Sequence, residues 1–339
     1  MAMHMRPETW IRPTPQGLYV EPGDFFIDPA RPAARALVTH GHADHARPGN
    51  ESVLATAGTL AIMRARYGTA AGGTLQAIGY DDSIRIGDVT VRFAPAGHVL
   101  GSAQIVLEHG GSRVVVSGDY KRRRDPTCPA FEPQSCDVFV TEATFGLPVF
   151  VHPPDAEEIA RLLGSVRRNP ERAHLVGVYA LGKCQRVICL LREAGWDTPI
   201  FIHGALAGLC AVYEQAGVAL GPLRAVTGAT ARDLAGAIVL APPSALADRW
   251  SRRLPEPLAV AASGWMRIRQ RARQRGVELP LVISDHADWP ELLGTFTDVD
   301  APDIWVTHGQ EDALVHAAGL QGRRARALRL VGRDEDAGT

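Results

Sequence analysis

An α/β fold is what the sequence predicts, on two observations. Short β-branched or aromatic runs stop abruptly at residues able to bind metal or move a proton, and a long middle stretch alternates strand-like with helix-like segments. Five such runs occur, at 36–40 (ending in His40), 114–119 (Asp119), 138–142 (Glu142), 281–286 (His286) and 304–308 (His308). Each reads as a buried strand delivering a polar group at its carboxyl end, where helix-covered sheets place their sites. The first and last runs share Thr-His-Gly, a weak hint of two similar halves in one sheet system.

The middle stretch supplies helix-like segments at 153–163, 183–193 and 205–215, interleaved with strand-like 175–179, 200–203 and 237–240. Its borders fall near Gly146-Leu147-Pro148 and Leu254-Pro255-Glu256-Pro257. An inserted α/β domain is therefore expected over 147–262, flanked by a first domain part at 1–146 and a second at 263–330. The small, acidic tail at 331–339 is expected to be disordered.

Composition limits the functional classes. With 339 residues, 46% of them apolar and 22% charged, the chain can bury one large core or two modest ones. Apolar runs such as 175–181 fall far short of the roughly 20 residues that cross a bilayer, so no membrane segment is expected. The N-terminus has no basic start followed by an apolar stretch, which makes the cytoplasm the expected compartment. Cys128, Cys136, Cys184, Cys189 and Cys210 form no C-x-x-C pair and are odd in number, arguing for reduced residues rather than a disulfide framework or thiolate zinc site. The net charge of -1 contrasts with the strongly basic domains of duplex binders, so any basic surface must be local. Among 36 basic residues only Lys121 and Lys183 are lysines, and both stand beside the motifs below.

The densest chemistry lies in His-Gly-His-Ala-Asp-His at 40–45. In an extended segment alternate side chains share a face, so His40, His42 and Asp44 can point one way while His45 reaches across from the turn. Imidazoles and carboxylates without thiolates suit zinc, manganese or iron, with zinc the first choice. Two metals need further ligands and usually a bridging carboxylate, which His98, Asp119 and His308 could supply. No G-x-S-x-G elbow, reactive-cysteine signature, P-loop or G-x-G-x-x-G offers a different chemistry.

The string at 40–45, followed by His98, Asp119 and His308, resembles the hydrolase motifs of the metallo-β-lactamase fold, which implies an αββα sandwich. Position by position, the resemblance implies His40, His42 and His98 on one divalent metal, Asp44, His45 and His308 on the other, and Asp119 between them. Asp28 matches the family's early aspartate that supports the ligands from behind; a plain turn aspartate before Pro29 is the alternative.

The long insertion between Glu142 and Ser263 resembles the β-CASP branch of that fold, whose members are nucleases of DNA or RNA. Glu142 matches its motif A, His286 its motif B and His308 its motif C. The resemblance implies that His286 protonates the leaving oxygen, oriented by Glu142, and makes Asp44, Glu142 and His286 the catalytic candidates; a buried structural ion pair is the alternative for the last two. Leu181-Gly182-Lys183-Cys184-Gln185 is also similar to a β-CASP stretch, and a lysine at a helix start favours phosphate. Phosphate contacts are further expected from Lys121 and Arg122 to Arg124, and from Ser263, Gly264 and Trp265 with Arg267, Arg269, Arg271, Arg273 and Arg275. Solvated charged faces are the competing reading.

Stretches at 100–104, 144–148, 241–244, 262–266 and 284–289 resemble the bacterial ligase-associated DNA exonucleases over nearly the whole chain. That implies a 5′-end-directed DNA exonuclease in repair, with zinc or manganese as cofactor and an ATP-dependent DNA ligase and a helicase as working partners. Histidine at 308 is instead similar to RNA-processing members, which keeps an RNA nuclease as the alternative. A small-molecule metallohydrolase and a non-catalytic scaffold are the remaining readings, the first disfavoured by the insertion and the second by a complete ligand set.

Overall fold

The computed structural model describes residues 5–328 and 330; the tail expected to be disordered, 331–339, lies outside the described residues. The chain divides into two compact units, one formed by residues up to Val149 together with those from His286 onward, the other by Phe150 to Asp285. The second unit runs beyond position 262 because the strand Leu279–Leu281 pairs in parallel with Leu258–Ala262 and keeps the intervening residues on that sheet.

In the first unit a six-stranded sheet follows chain order: Ile11–Thr14, Gly17–Val20, Phe25–Ile27, Arg35–Leu37, Ser52–Ala55 and Thr74–Ala77. A seven-stranded sheet has the order Arg324–Ala327, Asp303–Gly309, Val138–Ala143, Ser112–Val116, Ala103–His109, Val89–Pro95 and Ser83–Ile86. The twofold periodicity of the pleat sorts its residues between two cores. Val114, Val116, Val138, Val140 and Trp305 pack with Leu18, Phe25, Ile27 and Leu37 of the first sheet. Their neighbours Val115, Phe139, Ile304 and Val306 face the other way, against Leu292, Phe296 and Leu314 of the helices Trp289–Asp298 and Glu311–Leu320. On the first sheet, Ala36, Val38 and Val53 meet Leu60 and Met63 of the helix Ala57–Tyr67. Each such buried Leu or Phe contributes about 1.5–3 kcal/mol, enough to fix the register of strands whose one-residue slip would expose every one of them.

The seven-stranded sheet also fixes where polar groups emerge. Val89–Pro95 and Ser112–Val116 are each antiparallel to Ala103–His109, and Ser112–Val116, Val138–Ala143 and Asp303–Gly309 are parallel, so these four strands end at one edge. His98, Asp119, Glu142 and His308 lie at or just beyond those ends.

The second unit is a six-stranded, fully parallel sheet in the order Leu223–Ala225, Ile200–Ile202, Ile238–Ala241, His174–Gly177, Leu258–Ala262 and Leu279–Leu281. Its strands are apolar throughout, as parallel strands buried on both faces require. The helix Asp155–Arg168 opens with Asp155, Glu157 and Glu158 and closes with Arg167 and Arg168, which complements its dipole at both ends. The run 281–286 expected as a strand is a strand only to Leu281, and 282–288 has no regular structure.

Candidate metal and catalytic centre

Two backbone distortions aim the ligands. Gly118 has φ +57°, and a Cβ there would stand 2.7 Å from the Thr39 side chain, so only glycine lets Asp119 approach the His40 segment. His308 itself adopts φ 34°, and Gly309 at φ +90° lies so close to Ala143 that a Cβ would meet its carbonyl carbon at 2.3 Å. A left-handed histidine costs on the order of 1–3 kcal/mol, which the packed strand pair around a register shift between Thr141 and Ala143 sustains.

The structure brings together every ligand candidate read from the sequence. His40 Nε2 and His98 Nε2 each lie 3.1 Å from His42 Nδ1, and Asp119 Oδ2 lies 3.3 Å from His40 Nε2 and 3.7 Å from His98 Nε2. On the other side of Asp119, Oδ1 is 3.0 Å from His308 Nε2 and 3.5 Å from His45 Nε2, which Asp44 Oδ2 approaches at 3.4 Å. Asp119 therefore belongs to both groupings. Ligands on a tetrahedral cation with bonds of about 2.0–2.1 Å stand roughly 3.3–3.4 Å apart, close to these spacings.

Electrostatics points the same way. Burial, reinforced by neighbouring imidazoles, lowers the pKa of His40, brings His42 down to about 3 and holds His98 well below its ordinary value. These rings are neutral, with lone pairs crowded together. Burial opposes ionisation of Asp119 and Asp44, but His45 and its neighbours outweigh it, holding Asp119 well below the usual carboxylate range and Asp44 at about 2. His45 is the exception: burial would lower it, but Asp119, Asp44 and Asp28 push it up to about 9. Its Nε2 is buried and forms no hydrogen bond among the described residues, although two carboxylate oxygens stand near. Neutral imidazoles, ionised carboxylates and an orphaned ring nitrogen between them fit divalent cations, with His40, His42, His98 and Asp119 able to hold one and Asp44, His45, His308 and Asp119 another.

Behind the ligands sits Asp28, in the left-handed region at φ 45° and 2% exposed. Its carboxylate lies 2.8 Å from His45 Nδ1, accepts the backbone N–H of Thr39 at 2.8 Å and accepts the Thr39 hydroxyl at 2.6 Å. The same hydroxyl oxygen is 3.1 Å from His40 Nδ1, so one Asp–Thr unit turns Nε2 of both rings inward. Ser102 does similar work for His98 by accepting its backbone N–H at 3.0 Å. Thr39 and Ser102 carry no motif of their own; the Thr-His pair closing two strand runs was the one available signal for the first.

Glu142 and His286 meet as expected. His286 Nδ1 is 2.8 Å from Glu142 Oε2, while Glu142 also accepts the Tyr120 backbone N–H at 2.7 Å and the Thr144 hydroxyl. The His286 and His98 ring centres are 4.7 Å apart, and Asp119, Glu142 and His286 offer ligand atoms within 4.8 Å of one another. With Nδ1 turned to Glu142, Nε2 is the ring nitrogen left for proton transfer.

The expected phosphate contacts fare unevenly. Lys121 and Lys183 are buried, 1% and 6% exposed, and Lys183 Nζ is committed to Asp285 at 2.9 Å, so neither lysine presents a surface charge. Arg122 pairs with Asp298, and Arg123 with Asp288 and Glu291, which neutralises most of the patch after Asp119. Ser263 accepts the N–H of Trp265 and opens a short 3-10 turn, Gly264–Arg267, followed by the helix Arg269–Gln274. Arg271 stacks on Trp265 at 4.2 Å, Arg267 is exposed, and Arg269, Arg273 and Arg275 are exposed with no ion pair among the described residues.

No family model matches the chain. A protein named "Probable DNA ligase" from Opitutus terrae is 32% identical over 317 residues, 92% of this chain and 30% of that protein. "Endoribonuclease ysh1" from Emericella nidulans is 33% identical over 153 residues, 42% of this chain and 17% of that one. "Cleavage and polyadenylation specificity factor subunit 3" from Dictyostelium discoideum is 32% identical over 147 residues, 40% of this chain and 19% of that one. This chain thus spans less than a third of each of these three relatives. A crystal structure of a protein of unknown function from Enterococcus faecalis V583 has a TM-score of 0.58 at 11% identity, covering 86% of this chain and 78% of that one, a likeness of fold alone. The resemblance carried by residues 40–45, Glu142, His286 and His308 holds: the chain belongs to the β-CASP group of the metallo-β-lactamase fold.

Proposed function

We propose that this chain is a metal-dependent nuclease that degrades DNA from a 5′ end in repair. In this reading the first unit is the metallo-β-lactamase αββα sandwich, the second is the inserted β-CASP domain, and the cofactor is two divalent cations, zinc or manganese. The observation that carries it is the buried cluster around Asp119 set beside the Glu142–His286 pair.

When bound, the cations supply Lewis acidity that activates water and offsets charge on the attacked phosphate. The chain's own residues do the rest. Asp28 and Thr39 lock the His45 and His40 rings, Asp119 spans both ligand groups, and Glu142 holds His286 with its Nε2 directed to give a proton to the leaving oxygen. The exposed arginines of 267–275 supply a local basic surface for a polyanion on a chain of net charge -1.

DNA is favoured because the relative named for DNA ligase aligns along 92% of the chain, whereas those named endoribonuclease align along 40–43%. An RNA nuclease is the second reading, supported by His308 at the strand end and by those ribonuclease names. Digestion of 5′-labelled DNA, 3′-labelled DNA and RNA with zinc or manganese separates them. Mononucleotide release from the 5′ end of DNA alone is expected; internal cuts in RNA would sink the DNA reading.

A further inference from the structure

The residues leading to His286 lack the usual means of being held still. From 282 to 288 the chain has no regular structure, so no ladder of backbone hydrogen bonds fixes the approach to the imidazole. Side chains take that place. Glu158, 4% exposed, accepts the backbone N–H of Val282 through Oε2 at 2.7 Å and is itself held by Arg161 at 2.7 Å. Three residues on, Lys183 Nζ stands 2.9 Å from Asp285 Oδ1, with both residues buried. Asp285 is covalently joined to His286. On the far side, Ala287 N–H donates to Tyr120 O at 2.8 Å, and Tyr120 N–H donates to the Glu142 carboxylate that faces His286.

A buried lysine here also explains an oddity of composition. In a chain that uses arginine almost everywhere, a compact ammonium suits a single-point pair in a closed space, where a planar guanidinium would need room for its fork. The Lys183 charge is therefore spent inside the fold and not on substrate.

We infer that Lys183 and Glu158 are positioning residues for His286: through Asp285 and Val282 they fix the segment that sets the imidazole against Glu142. This rests on the nuclease reading above. A proton donor displaced by about 1 Å can lose up to roughly a hundredfold in rate, so loosening the segment should cost turnover rather than binding.

The test compares the full metal-loaded chain with Lys183→Met/Asp285→Asn, which removes both charges together so that neither is stranded in the interior. Glu158→Ala is the second variant. On 5′-labelled single-stranded DNA, kcat is expected to fall about tenfold to a hundredfold while KM and metal content stay within about twofold. The limb of the pH–kcat profile belonging to His286 should move, and amides at 282–287 should exchange at least about tenfold faster. Variants that melt earlier but keep the parent's kcat, pH limb and exchange rates overturn the inference, leaving both residues as mere structural supports. If the parent itself cleaves no phosphodiester, the nuclease reading fails, and exchange alone then decides: unchanged protection at 282–287 overturns the positioning role, and lost protection supports it.

Discussion

Asp28 shows how much a single residue can hold. Aspartate tolerates the left-handed backbone better than most residues, and here that backbone turns the carboxylate toward His45, Thr39 N and Thr39 Oγ1 at once. A turn aspartate before proline was an equal reading from sequence, because nothing local says that its acceptors are His45 and Thr39. Asp28→Ala should leave the ligands in place but free the His45 and His40 rings to rotate, weakening metal affinity about 10–100-fold. Titration of the metal-free protein with zinc in a competing chelator reads this directly; unchanged affinity would remove Asp28 from the site. His286 makes the opposite prediction. It belongs to neither four-residue ligand group, so His286→Ala should keep the parent's metal content and lose about 10²–10⁴ in turnover. A variant with parental turnover would end the proton-donor assignment.

At the scale of elements, what the sequence revealed was what its own periodicity controls. The helices expected at 183–193 and 205–215 appear as Lys183–Glu193 and Gly204–Gln215, and the strand runs ending at Glu142 and His308 appear as Val138–Ala143 and Asp303–Gly309. The metal string was legible because its ligands repeat within six positions of one strand exit. Long-range partners were not legible. Leu281-Val282-Ile283 reads as a strand, yet the Val282 N–H is taken by the carboxylate of Glu158, far away in sequence. Likewise Arg122 and Arg123 look like a free basic patch until the helix Trp289–Asp298 brings Asp288, Glu291 and Asp298 against them. The strand His174–Gly177 carries a testable consequence of burial. Burial lowers the pKa of His174 below 6.5, and its Nε2 shares a hydrogen bond with Ser165 at 2.9 Å. The unfolded chain then binds this proton more readily than the folded one, so the ring's contribution is complete above pH 6.5 and is lost as pH falls through the lower folded value. In urea melts from pH 7.5 to 5, the parent should lose more stability than His174→Asn, by less than about 1.4 kcal/mol per pH unit. Other buried histidines titrate in both proteins, so the difference between the curves is the readout, and parallel curves would refute it.

For the molecule as a whole, the centre is a meeting of chain segments far apart in sequence, from Asp28 to His308, and charge is what keeps that meeting from being stable alone. Asp28, Asp44 and Asp119 bring three carboxylates together, and His45 is the one ring among the ligands pushed toward its charged form. A divalent cation in each ligand group would replace that single proton with far more compensating charge, and would engage nitrogens that otherwise crowd one another at 3.1 Å. Metal binding should accordingly stabilise the folded chain by mass action, adding about 1.4 kcal/mol per site for each tenfold rise in free metal above its dissociation constant. Chelation of the purified protein should therefore abolish nuclease activity and lower the melting temperature. Returning zinc or manganese should restore both, with about two equivalents taken up, as the two groupings sharing Asp119 imply. His42→Ala should then take up one equivalent fewer and keep part of the stabilisation, since it touches one grouping only. Asp119→Ala should lose most of both, because it removes the carboxylate they share. A melting temperature indifferent to metal, or equal metal content in all three proteins, would show that these buried histidines and aspartates are structural after all.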